Sequence, residues 1–133
     1  MRSAVRIAVV SALLAIPAVA VGSSRTLAIN CAREQYKPHT IILTCGDAGI
    51  WLGKLKWSHW SRTKAVGTGT FTWNDCKPTC SAGHNRSRPV KVTLSGPKRC
   101  PGRVHAAFGR GTFAFPRGGP PFNFRRTTFV CPY

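Results

Sequence analysis

Six cysteines, and no seventh, constrain this chain more than any other feature. All of them, Cys31, Cys45, Cys76, Cys80, Cys100 and Cys131, fall after a leader-like segment, and an even count in an exported chain reads as a disulfide framework. Six cysteines allow 15 pairings. Cys76 and Cys80 in "CKPTC" enclose a turn-forming Lys-Pro-Thr, so they either close on each other or tie that loop to two different strands. Cys100 and Cys131 flank the last predicted strands and form the preferred second pair, which leaves Cys31 with Cys45 across the first hairpin. Cys76, Cys80 and His84 also recur at four-residue intervals, the one arrangement suggestive of metal. Pro78 and Gly83 oppose a helix there, and the spacing matches no standard zinc pattern, so no metal or other cofactor is expected.

The leader itself has three parts. Arg2 and Arg6 give a positive start, "IAVVSALLAI" is an apolar run too short to span a bilayer, and Ala18-Val19-Ala20 is a small-x-small cleavage pattern. We therefore expect a secretory signal helix at residues 1–20, removed after Ala20, and one β domain over residues 21–133 whose ordered core begins at about residue 26. Loss of Arg2 and Arg6 lowers the Lys and Arg count from 20 to 18, against Glu34, Asp47 and Asp75, and the formal charge from +17 to +15. Such an excess cannot be paired internally. It draws polyanions to the surface in a salt-dependent way, while saying nothing about fold.

Between clusters of Gly, Pro, Asn and Ser lie short β-rich runs at the spacing of a sandwich or barrel. "TIILTC", "GTGTFTW", "PVKVTLS", "RVHAAF", "GTFAF" and "PFNFRRTTFV" are the clearest. Alternation is best in "VKVTL", where Val90, Val92 and Leu94 point one way and Lys91 and Thr93 the other. "SAGHNRSR" and "PRGGPP" read as the least ordered stretches. The pattern predicts an all-β, disulfide-bearing sandwich, with an immunoglobulin-like arrangement as first candidate.

"CGDAGIWLGKLKWSHW" fits a strand better than a helix. In strict alternation Trp51, Gly53, Leu55, Trp57 and His59 share one face and Lys54, Lys56 and Ser58 the other. Trp60 then falls on the lysine face as the best candidate for an exposed aromatic. Trp60, Lys54 and Lys56 are accordingly the first candidate binding surface, and Arg86 and Arg88, in the loop after Gly83, the second.

Four segments in one order, "IILTCGD", "LGKLKWSHW", "AVGTG" and "NDCKPTCSAG", together with the closing "PFNFRRTTFV", make the chain resemble a family of small exported actinobacterial proteins. Their shared marks are a Cys-Gly-Asp turn, a Leu-x-x-Leu-x-Trp-x-x-Trp strand and an Asn-Asp-Cys-x-Pro-x-Cys loop. The resemblance implies export and a compact domain. It assigns no activity or site, and Cys31, Cys100 and Cys131 depart from its shorter cysteine set.

Catalytic chemistry needs a nucleophile beside a base, paired carboxylates or a metal. Asp47 after Gly46 and Asp75 after Asn74 stand at turn positions, where a carboxylate normally accepts nearby backbone N–H groups. No Gly-x-Ser-x-Gly elbow accompanies the four scattered histidines. The expectation is a secreted or envelope-associated, non-enzymatic binding module whose partner is an anionic envelope polymer or a protein. Nucleic-acid binding is expected to be adventitious, and insertion of the mature chain into a membrane is not expected. A membrane-active cationic protein and a secreted hydrolase or its inhibitor are the alternatives. The sequence sets no oligomeric state.

Overall fold

A computed structural model describes residues 25–133; the expected signal segment lies outside them. Eight strands succeed one another: β1 (Ala28–Asn30), β2 (Arg33–Gln35), β3 (Ile41–Ile42), β4 (Ile50–Trp60), β5 (Lys64–Asn74), β6 (Asn85–Arg99), β7 (Ala106–Ala114) and β8 (Arg126–Thr128). Strands β3 to β8 form a six-stranded antiparallel sheet in sequential order, and β1 and β2 a separate hairpin. An immunoglobulin-like sandwich would need Greek-key crossings between two sheets. Here each strand from β3 to β7 pairs with its successor, so that expectation is corrected to a meander, while the all-β, disulfide-bearing, sandwich-like class stands.

The hairpin links β7 to the edge strand β3. Leu27, just before β1, bridges Ala107 in parallel, donating its N–H to Ala106 and accepting one from Phe108, both at 2.9 Å. At the other end of β1 the Asn30 side chain donates to the Thr40 carbonyl at 3.1 Å and accepts from the Ile42 N–H at 2.9 Å. Ala28 and Ile29 thereby enter one core with Ile41, Leu52, Leu55, Val92, Leu94 and Phe108. Phe71 is its centre, with the rings of Phe115, Phe124, Phe113 and Trp73 at 5.3, 5.4, 6.0 and 6.2 Å.

Two β-bulges interrupt β4. Between Gly53 and Lys56 it advances three residues while β5 advances two, and between Trp57 and His59 two while β5 advances one. Each extra residue reverses the facing of the side chains beyond it. Ile50, Leu52, Leu55, Trp57 and Trp60 consequently share the inner face, and Trp51, Gly53, Lys56 and His59 the outer. Lys54 sits in the first bulge at φ 51°. Glycine makes room opposite: a Cβ on Gly69 would lie 2.5 Å from the Gly53 carbonyl and 3.0 Å from Leu55, and one on Gly67 would lie 2.8 Å from both the Lys56 carbonyl and the Trp57 ring.

Elsewhere several elements depart from expectation, and "TIILTC" keeps only Ile41–Ile42 as strand. "RVHAAF" and "GTFAF" merge into β7, and the closing run keeps only Arg126–Thr128 as strand. Arg86 and Arg88, expected in a loop, belong to β6, where they oppose Trp73 and Phe71. Their local propensity is poor, but continuous pairing with β5 and a 2.9 Å contact between the Thr72 and Ser87 hydroxyls extend the ladder.

All three disulfides take the preferred pairing: Cys31–Cys45, Cys76–Cys80 and Cys100–Cys131. The first ties the β1–β2 turn to the β3–β4 loop, and the last ties the end of β6 to the tail after β8. In the chain-entropy account the 31-residue separation of Cys100–Cys131 is worth about 3.7 kcal/mol and the four-residue one of Cys76–Cys80 only about 2. The short bridge therefore matters chiefly for local shape.

Replacing Gly69 by Ala should destabilise the oxidised protein by about 2 to 3 kcal/mol, whereas Thr68→Ala, on the exposed face, should stay within about 0.5. Denaturant midpoints of the two variants check this; equal midpoints would mean that the bulge does not depend on the glycine.

Candidate functional site

The β5–β6 connection is built by two acceptor side chains. Asn74 Oδ1 accepts the Cys76 N–H at 2.8 Å while its Nδ2 donates to the Cys80 carbonyl at 2.9 Å. Asp75 Oδ1 accepts the His84 and Lys77 N–H groups at 2.8 and 3.2 Å, and its Oδ2 accepts Arg86 Nε at 3.1 Å. Gly83 is wedged beneath: a Cβ there would collide with Asn74 Oδ1 and lie 2.8 Å from the Cys76 nitrogen. The Cys76–Cys80 bridge closes the turn from outside, and it removes both thiols from the metal-like pattern with His84.

Hydrogen bonds that favour the charged form depress a carboxyl pKa. The His84 N–H holds Asp75 below its ordinary value, aided by the Lys77 N–H and Arg86. Asp47 is lowered in the same way, first by the Gly49 N–H, at 2.9 Å, and then by the Thr44 hydroxyl. Both aspartates thus serve their own turns, as their sequence positions suggested. Arg86–Asp75 is the one ion pair among the described residues.

Beside this loop lies a cleft of about 860 Å³. Trp73, Asn74, Asp75, Asn85, Arg86 and Arg88 form one side, and Gly119, Pro121 and Phe122 the other. Trp73 is 6% exposed and supplies the floor, while Phe122, 39% exposed, meets it edge-on at 6.0 Å. Arg86 and Arg88 are thus brought together with two aromatics. Arg86 is committed to Asp75 through Nε, and Arg88 has no carboxylate partner among the described residues.

Trp60 departs from expectation. The second bulge turns it inward, where its Nε1 donates to the Thr26 carbonyl at 2.9 Å and its ring meets Trp57, Tyr36 and Phe108 at 4.7, 5.4 and 5.5 Å. It is not the exposed aromatic. Trp51, equally half-buried, stands instead on the outer face, where its indole lies over Gly53, and the exposed aromatics among the described residues are Tyr36, Phe122 and Tyr133. Lys54 and Lys56 are exposed as expected, Lys56 on the outer face with Trp51.

Across that face the register sets three rows: Lys56, Thr68, Lys91, Ala114; then His59, Val66, Thr93, Thr112, Arg126; then Lys64, Ser95, Arg110, Thr128. Glu34 lies on β2, Asp47 between β3 and β4, and Asp75 after β5, so no row contains a carboxylate. Lys64, Lys91, Arg110 and Arg126 are not among the candidates the sequence offers. The usable signal was the outward parity of Lys91 in "VKVTL", carried across to neighbouring strands.

Among the described residues no three His, Cys, Asp or Glu side chains form a group able to hold a metal, and no helix is long and apolar enough to cross a membrane. No protein-family model matches the chain, and no curated protein or solved structure matches it.

Protonation of Asp75 should loosen the loop. The folded pKa of Asp75 lies below the unfolded value of about 3.9, so its hold on the loop is complete above that pH and is lost as pH falls through the lower, folded value. The His84 and Lys77 amide resonances should shift together in a step centred below about pH 3.9. Asp75→Asn should abolish it. A step at or above that pH would contradict the assignment.

Proposed function

We propose that this chain is an exported, non-enzymatic binding module that holds an anionic polymer of the cell envelope against the outer face of its sheet. The observation that carries the reading is the set of three rows with five cations, Lys56, Lys91, Arg126, Lys64 and Arg110, and no carboxylate, next to the outward Trp51. Strands lie about 4.8 Å apart and same-face residues about 6.8 Å apart along a strand. Lys56 and Lys91, two strands apart, thus stand about 10 Å from each other. The sheet fixes the backbones of these cations, and the threonine hydroxyls between them can donate to phosphate or carboxylate oxygens. A polymer with regularly spaced anions gains several such contacts at once, which a single ion does not.

Export rests on the leader pattern, on three disulfides in a small domain, which suit an oxidising compartment, and on the resemblance to an exported family. The non-enzymatic reading rests on the tying of Asp47 and Asp75 into their own turns. Against the membrane-active alternative, Trp57 and Trp60 both donate their indole N–H groups to backbone carbonyls, of Pro38 and Thr26, and pack into the strand's inner face.

The test is titration of the oxidised mature protein with poly(glycerol phosphate) at physiological salt, read by tryptophan fluorescence with Trp51→Phe as control. Saturable binding is expected, and Lys56→Gln with Lys91→Gln should weaken it about fivefold to tenfold, while Lys37→Gln should not. Loss of all binding at physiological salt, equal binding to DNA with a steep salt slope, or an unaffected double variant would each overturn the reading.

A further inference from the structure

The cleft beside the Cys76–Cys80 loop is a second site, on the opposite side of the sheet from the cation rows. Arg86 and Arg88 are in register with Trp73 and Phe71, whose side chains face the core, whereas Lys91 and Thr93 alternate to the other side. Its volume of about 860 Å³ falls within the range of small-ligand sites, roughly 300 to 1,000 Å³. We propose that this cleft binds a carboxylate-bearing sugar unit, a uronate, with Arg88 on the acid group and Phe122 against the ring.

Three features select that chemistry. First, an apolar wall faces a polar one: Phe122 leans on Trp73, offering a flat surface to the C–H face of a pyranose, while Asn85 brings an amide that can serve ring hydroxyls. Second, the cationic groups are few and unequal. Asp75 neutralises Arg86, so the cleft carries the free charge of Arg88 and of Lys77 at its rim and suits one anionic group per unit rather than a dense polyphosphate. Third, the site is held in place: Nε of Arg86 is fixed on Asp75, which two backbone N–H groups fix in turn, so the planar guanidinium keeps its remaining donors in a set direction for a sugar oxygen.

The probes are a galacturonic acid trimer, the neutral galactose trimer and inorganic phosphate, added to the oxidised mature protein and monitored by amide NMR and calorimetry. The acidic trimer should saturate with a Kd of about 1 mM or tighter and move the amides of residues 85–88, Gly119 and Phe122. Arg88→Gln and Phe122→Ala should each weaken it about tenfold, with amide spectra elsewhere unchanged to show that the fold persists. The Lys56→Gln, Lys91→Gln double variant should bind the trimer as the parent does, so failure of the outer-face reading and failure of this one are read separately. The proposal is overturned if the acidic trimer does not saturate below about 10 mM, if the neutral trimer binds as tightly, if phosphate occupies the same amides with equal affinity, or if both cleft variants bind normally.

Discussion

The close approach of bulged β4 to the glycines of β5 sets which way most of the informative side chains point. Gly69 admits the Gly53 carbonyl and Leu55, and Gly67 admits the Lys56 carbonyl and the Trp57 ring. Without that room neither bulge could lie flat against its neighbour, and the ladder would have to run in unbroken alternation. With it, Leu52, Leu55, Trp57 and Trp60 reach the core at spacings of three, two and three. Trp51 and Lys56 are left together outside. Core and candidate surface thus arise from the same two local insertions, and a change that removes one bulge would move both.

A second constraint concerns negative charge. The chain has three acidic residues, and two are committed to backbone N–H groups of tight turns, where the gain from satisfying otherwise orphaned donors is local and steady. Among the described residues only Arg86 has its charge matched. The other cations therefore act as a one-signed field over a rigid sheet, and in the end cleft a neutralised Arg86 stands beside a free Arg88. A concentrated field and a graded one suit different ligands.

How far the sequence disclosed this depends on the range of the interactions that decide each feature. Val90, Val92 and Leu94 were legible because period-two alternation is local, and the three disulfides because they track strand ends and a tight turn. Trp60 was misplaced because a bulge is decided by what the partner strand can accommodate, and the relevant signal, alternate glycines in "GTGTF", lies in another strand. Arg86 and Arg88 were misplaced because strand pairing overrode their weak propensity. The β1–β2 hairpin was missed altogether: its strands are three residues each, too short for a period, and their position depends on β7 and β3.

Asn30 has a consequence for the molecule among its neighbours. Its carboxamide copies a peptide unit, giving and receiving one hydrogen bond each along β3, the outermost strand on that side. A margin so occupied has little left to offer an incoming strand from another copy, and β8, three residues long, offers little more. A single asparagine at the seam thus leaves that margin poorly suited to strand addition from a second copy.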